Sequence, residues 1–137
     1  MDMVTAGLRF DGRTRWVLWG SDEHGRDHVV FAGAEQTGEV TDVEPAQAWL
    51  RRERMTLDPY AALDLWNWAS DVAYSTGQPW HDRGRIRDRC YDKLFAANVP
   101  WFFELERYRP VWSPVQVNAV RAVLGQAVHV LRTGFGA

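Results

Sequence analysis

Apolar and polar positions follow two different periods along the chain. In the first forty residues, short apolar runs are broken by turn residues. LRF (residues 8–10) leads into Asp11-Gly12, a dipeptide that accepts positive φ, and TRWVLWG (14–20) follows with β-branched and aromatic side chains. This spacing predicts a hairpin. The polar stretch SDEHGRD (21–27) separates it from HVVFA (28–32), which Gly33 ends, so a third antiparallel strand is expected. Val40 marks a short fourth strand. A sheet this small does not enclose a core alone and needs a covering layer.

Beyond residue 40 the apolar spacing lengthens to that of helices. Thr41-Asp-Val-Glu44 has the spacing of a capping box, and Trp49 and Leu50 mark an apolar face, predicting a short helix to about Arg54. Asp58-Pro59 supplies an N-cap and a first-turn proline for a helix over 59–76, closed by Gly77 with Pro79 beyond. A third helix is expected from Gly84 or Arg85 to Ala97, with Asn98 at its end and Pro100 after it. Ser113-Pro-Val-Gln116 combines a capping serine, a proline at the first helical position and a glutamine at the third. Val117, Val120, Leu124, Ala127 or Val128, and Leu131 then recur at steps of three and four up to Gly134. The expected fold class is α+β: a small N-terminal antiparallel sheet of three or four strands packed against three or four C-terminal helices. No linker or repeat divides the chain, so residues 1–137 read as a single domain with a β-rich part (1–40) and a helical part (41–137).

Composition narrows the functional classes. Hydrophobic residues make up 46% of the 137 and aromatic residues 13%, which is a core-forming composition and not a disordered one. The net charge of −2 provides no overall field to hold a nucleic acid or an anionic membrane. No run of eighteen apolar residues occurs, and MDMVTAGLRFDGRTR carries acids and arginines where an export signal would be apolar, so a cytoplasmic location is expected. Cys90 is the single cysteine, which removes any internal disulfide or cysteine-based zinc site and reads as a small core residue. Fifteen of the sixteen basic residues are arginine, a bias that reflects the coding habit of a high-G+C genome.

Candidate chemistry concentrates on the helix from Pro59. Its apolar residues nearly encircle it, leaving Asp64, Asn67, Asp71 and Ser75 in one polar stripe bordered by Trp66 and Trp68. Two carboxylates about two turns apart between indoles suit a ligand pocket or an acid/base pair, one ionised and one pushed toward its protonated form. The same pattern is also that of a solvated face whose acids pair with nearby arginines. WHDRGRIRDRCYDK (80–93) places Arg83, Arg85, Arg87, Arg89 and Lys93 within eleven residues, whereas residues 1–50 hold nine acids and four arginines. A phosphate or nucleic-acid site would use such a segment, but local pairs of Asp88 with Arg85 and Asp92 with Arg89 would also settle its charge. His24 and His28, beside Asp22, Glu23 and Asp27, have H-x3-H spacing that faces one side only on a helix, and Gly25 argues for a turn, so no metal site is expected. No phosphate loop, dinucleotide-binding glycine pattern, HExxH or nucleophile elbow is present. No catalytic residue and no cofactor are assigned.

ALDLWNWASDVAYSTG followed by CYDKLFAANVP, within residues 60–100, resembles a group of small actinobacterial α+β proteins of the immunity or accessory type, in which a Leu-Asp-x-Trp-Asn helix precedes a Tyr-Asp-Lys-Leu-Phe segment. The resemblance implies a binding role beside a larger partner. Together with the charge asymmetry and eight tryptophans, it leads to a non-catalytic protein-binding module with an acidic and aromatic surface, for which Asp22, Glu23, Asp27, Trp101, Arg107 and Arg109 are the candidate residues. The alternative is a small enzyme or small-molecule-binding protein that uses Asp64 and Asp71, with Asn67, in a pocket walled by Trp66 and Trp68.

Overall fold

The computed structural model describes residues 3–31, 33–51, 57–99 and 110–136. Two consecutive positive-φ residues, Asp11 (φ 49°) and Gly12 (φ 77°), close the first hairpin between β1 (Met3–Phe10) and β2 (Arg13–Ser21). Turns of this hand match the right-handed twist of the strands they join. The β2–β3 connection is ordered by Asp22, whose Oδ1 accepts the backbone N–H groups of His24 (2.8 Å) and Arg26 (3.0 Å). β3 (Asp27–Val30) then returns antiparallel to β2.

The fourth strand departs from the expected antiparallel arrangement. β4 (Glu39–Asp42) lies parallel to β1, on the edge away from β3, and the sheet order is β3-β2-β1-β4. The segment 33–38 therefore carries the chain across the width of the sheet without a helix. Gly38 makes this crossing possible: at φ 121°, a side chain there would place its Cβ 2.4 Å from the Thr5 carbonyl oxygen.

Thr41 also has a different role from the capping residue its spacing suggests. It belongs to β4, and α1 (Glu44–Leu50) starts after Val43, with no side-chain cap and with Pro45 in its first turn. Asp42 Oδ1 accepts the Glu44 N–H at 2.9 Å instead. The Thr41 hydroxyl is used in the interior, where it accepts the Trp68 indole N–H at 3.2 Å. Residues 52–54, over which the spacing predicts that the first helix continues, lie outside the described residues.

The remaining helices follow their caps. α2 (Pro59–Thr76) starts at Asp58, whose side chain accepts from the Tyr60 and Ala61 N–H groups, and ends at left-handed Gly77. α3 (Arg85–Asn98) buries Cys90, Leu94 and Ala97. α4 (Pro114–Phe135) starts at Ser113 with a complete capping box to Gln116 and buries Val120, Leu124, Ala127 and Leu131 as the spacing predicts. α2 is the central element, in contact with the other three helices and with β3 and β4. The core formed by Leu8, Phe10, Val17 and Val29 from the sheet, with Leu65, Val72, Leu124 and Leu131 from the helices, is continuous. Among the described residues, no helix is long and apolar enough to cross a membrane.

Candidate functional site

The polar stripe of α2 is divided between two clefts. Asp71 lines a shallow cleft of about 380 Å³ with His24, Arg26, Asp27 and Ser70, formed where the β2–β3 turn meets the helix. Asn67 lines a second cleft of about 470 Å³ between α2, α3 and the segment before α3, with Asp82, Asp88, Tyr91 and Asp92. Ser70 borders both. The two clefts thus form one face, in which Asp27 and Asp71 stand on one side of Ser70 and Asp82, Asp88 and Asp92 on the other. Arg26 and Arg83 are the cations that line it.

Asp64 lines neither cleft. It is exposed near the start of α2, and reduced contact with water, then Asp58 and Glu39, raise its carboxyl above the ordinary value. Trp66 and Trp68 are 1% and 3% exposed and face the interior, so they do not wall either cleft. Their indole N–H groups are each satisfied by a polar side chain from another segment: Trp66 donates to Asp82 Oδ2 at 3.0 Å and Trp68 to Thr41. Trp68 also stacks on Trp19, with ring centroids 5.2 Å apart. The indole that reaches the stripe is Trp19, which donates to Asp71 Oδ2 at 2.9 Å. Asn67 is held by the Tyr91 hydroxyl, which donates to its Oδ1 at 2.9 Å.

Electrostatics separate these carboxylates sharply. Asp71 is partly buried, and desolvation followed by the charge of Asp27 lifts its carboxyl to about 6 against the opposing Trp19 N–H, Arg26 and His28. Asp22 moves the other way: the hydrogen bond from the Tyr74 hydroxyl, then the turn N–H groups, hold it at about 2. Glu23 and Asp27 are exposed, as is His24, whose Nε2 lies 3.4 Å from Glu23 Oε1. The turn is pinned to α2 by Arg26, which lies 4.6 Å from the Tyr74 ring centroid and donates to Ser70 Oγ at 3.4 Å.

The basic segment is not neutralised as its spacing suggests: among the described residues, Asp88 and Arg85 form no ion pair, nor do Asp92 and Arg89. Asp88 and Asp92 face the cleft instead. Arg87 donates to the His81 carbonyl, and Lys93 donates to the Val111 carbonyl at 2.7 Å and Gln116 Oε1 at 2.8 Å, with the Trp112 ring beside it. Trp101, Arg107 and Arg109 lie outside the described residues.

Nucleophilic chemistry finds little support in these positions. Cys90 is fully buried, its thiol points to the Gln116 carbonyl at 3.7 Å, and burial raises its pKa, which keeps it as a thiol. His28 Nδ1 lies 3.0 Å from the Gly20 carbonyl oxygen. Among the described residues, no group of three or more His, Cys, Asp or Glu side chains is placed to hold a metal ion.

No protein-family model matches the chain, and no curated protein and no solved structure matches it either. The fold defines it as an α+β protein with a four-stranded mixed sheet covered by helices.

Proposed function

We propose that this is a non-catalytic protein-binding module, of the immunity or accessory kind, that engages a basic surface on a larger partner. The supporting observation is the joining of two acid-lined clefts across Ser70, which presents Asp27, Asp82, Asp88 and Asp92 on one face of the folded chain. Carboxylates spread over a wide, shallow face steer an oppositely charged surface and fix its orientation. A tagged pull-down repeated at low and high salt, followed by association kinetics with the captured protein, tests it. The expected result is a stoichiometric, salt-sensitive partner whose association slows when Asp88 is changed to Arg. Equal association of wild type and Asp88→Arg would overturn this placement.

A second reading, a site for a small cationic molecule, is favoured by Asp71, a partly buried carboxylate positioned by Trp19 in a cleft. Under that reading, Asp71→Asn abolishes ligand-induced thermal stabilisation and leaves partner capture unchanged.

A further inference from the structure

β2 is longer than the strand that flanks it. β3 pairs only with its last four residues and ends at Val30 opposite Leu18, so Arg13–Val17 have β1 on one edge and, among the described residues, no strand on the other. An open edge of this kind presents a row of main-chain N–H and C=O groups to whatever lies beside it. At about 3.4 Å per residue the open stretch is roughly 17 Å long, which is the length of an ordinary strand. A groove of about 610 Å³ opens beside it, lined by residues 14–17, by Phe31 and Gln36 from the connection that follows β3, and by residues 133–136 at the end of α4. Among the described residues, this groove shares no lining residue with the two acid-lined clefts.

The side chains along the edge define what fits. Alternation along β2 puts Arg13 and Arg15 on one face, beside their β1 partners Phe10 and Leu8, and Thr14 and Trp16 on the other. Trp16 lies against Gly7, where an added Cβ would stand 3.0 Å from its ring carbon Cζ3, and Phe31, 41% exposed, is set edge-on to Phe135 with ring centroids 5.0 Å apart. The apolar walls are therefore formed in advance, which lowers the cost of ordering an occupant. Arg13 and Arg15 are exposed, and among the described residues neither has an ion-pair or hydrogen-bond partner. A second copy of the chain that paired across the full stretch would set Arg15 opposite its own counterpart, a like-charge contact that opposes such a dimer. Carboxylates at alternate positions of an extended segment instead meet both guanidinium groups, and the apolar side chains between them fall on the face of Trp16.

We infer that the Arg13–Val17 edge of β2 is a docking site for an extended acidic segment of a partner protein, which adds a strand to the sheet, faces Arg13 and Arg15 with its carboxylates and lays its intervening apolar side chains beside Trp16. Main-chain hydrogen bonds along the edge supply affinity that any extended segment shares, whereas the two arginines select the acidic one. The site is separate from the acidic face and does not depend on it.

The test adds an end-blocked heptapeptide of alternating valine and glutamate, or its valine and lysine counterpart, to the ¹⁵N-labelled whole chain and reads the amide resonances and hydrogen exchange of residues 13–17. The glutamate peptide is expected to shift these resonances saturably, to slow exchange among these amides, and to bind there roughly tenfold or more tightly than the lysine peptide. Arg13→Glu combined with Arg15→Glu reverses the preference, and Asp88→Lys leaves it unchanged. Three results would overturn the proposal: no slowed amide within 13–17, equal binding of the two peptides at this edge, or a preference unmoved in the arginine variant. Should that variant fail to fold, the comparison of the two peptides on the wild-type chain decides alone. A concentration-dependent dimer that protects the same amides without peptide would assign the edge to a second copy and overturn it equally.

Discussion

Trp66 is 1% exposed, and its indole N–H donates to Asp82 Oδ2 at 3.0 Å. A carboxylate that lines an open cleft thereby satisfies a donor inside the core. Asp82→Ala leaves that N–H buried without a partner, at a cost of about 1–3 kcal/mol. Asp82→Asn keeps an acceptor at the same place and is expected to lose clearly less. Urea unfolding of the two variants measures the difference, and equal losses would mean that the negative charge, not the acceptor, matters at this position.

The two fates of the α2 tryptophans show what the sequence conveys. Periodicity predicts α2 and its polar stripe as they are found, because caps and apolar spacing are local properties: Asp58 acts on Tyr60 and Ala61, Gly77 on Ala73, and the apolar residues from Ala62 to Ala73 recur at helical steps. Which residues meet across the fold is a non-local property. Trp66 and Trp68 adjoin the stripe in sequence yet face the core, while Trp19, 52 residues from Asp71, supplies the indole that reaches it. Thr41 departs from its local pattern for a related reason. Its spacing to Glu44 fits a cap, but the pairing of β4 with β1 claims it, and no local signal announces a parallel strand reached by the segment 33–38. The second cleft has no local signal either: helical spacing offers Asp88 and Asp92 arginines within a turn on their own helix, whereas in the fold they line a cleft with Asn67 and Ser70 of α2.

Asp71 makes stability depend on pH in an unusual direction for a carboxylate. Its folded pKa, about 6, lies above the ordinary 3.8, so between those values the folded chain binds more protons than the unfolded one. Stability from this group is therefore full below about 4, falls as pH rises through 6, and is lost above it. Asp71→Asn is expected to stabilise the protein at pH 7.5 by about 1 kcal/mol, a figure reduced for the partial exposure of the site, and to have little effect near pH 4. Thermal unfolding of both proteins at the two pH values checks the sign. A greater gain at low pH would contradict it.

Two glycines of α4 give opposite expectations for the same substitution. At Gly134, a Cβ would stand 2.5 Å from Val72 Cγ1, so the close approach of α4 to α2 requires the absence of a side chain. Overpacking at such a contact costs about 1–3 kcal/mol, which outweighs the gain in helix propensity of about 1 kcal/mol. At Gly125, which is exposed, a Cβ meets nothing within 4 Å. Gly134→Ala is therefore expected to destabilise, and Gly125→Ala to stabilise by about 0.5–1 kcal/mol. Melting temperatures of the pair decide both.

Charge reversal on the acidic face must avoid the aspartate that builds the turn. Asp22 accepts the His24 and Arg26 N–H groups and the Tyr74 hydroxyl, so reversing it unfastens residues 22–26 along with changing the charge. Glu23 and Asp27 are exposed, and Asp27 gives up only the Ser21 hydroxyl donated to its Oδ1 at 3.1 Å. Asp27→Lys combined with Asp88→Lys, one change on each side of Ser70, alters the face by four charge units while leaving the core untouched. If the face steers a basic partner, association at low salt is expected to slow by roughly tenfold or more, with dissociation changed much less. Raising the salt should bring the variant and wild-type rates together, because exposed charges are screened within about 10 Å at 0.1 M. A deficit that persists at high salt would locate the loss in direct contacts instead of steering, and equal rates at low salt would remove this face from the interaction.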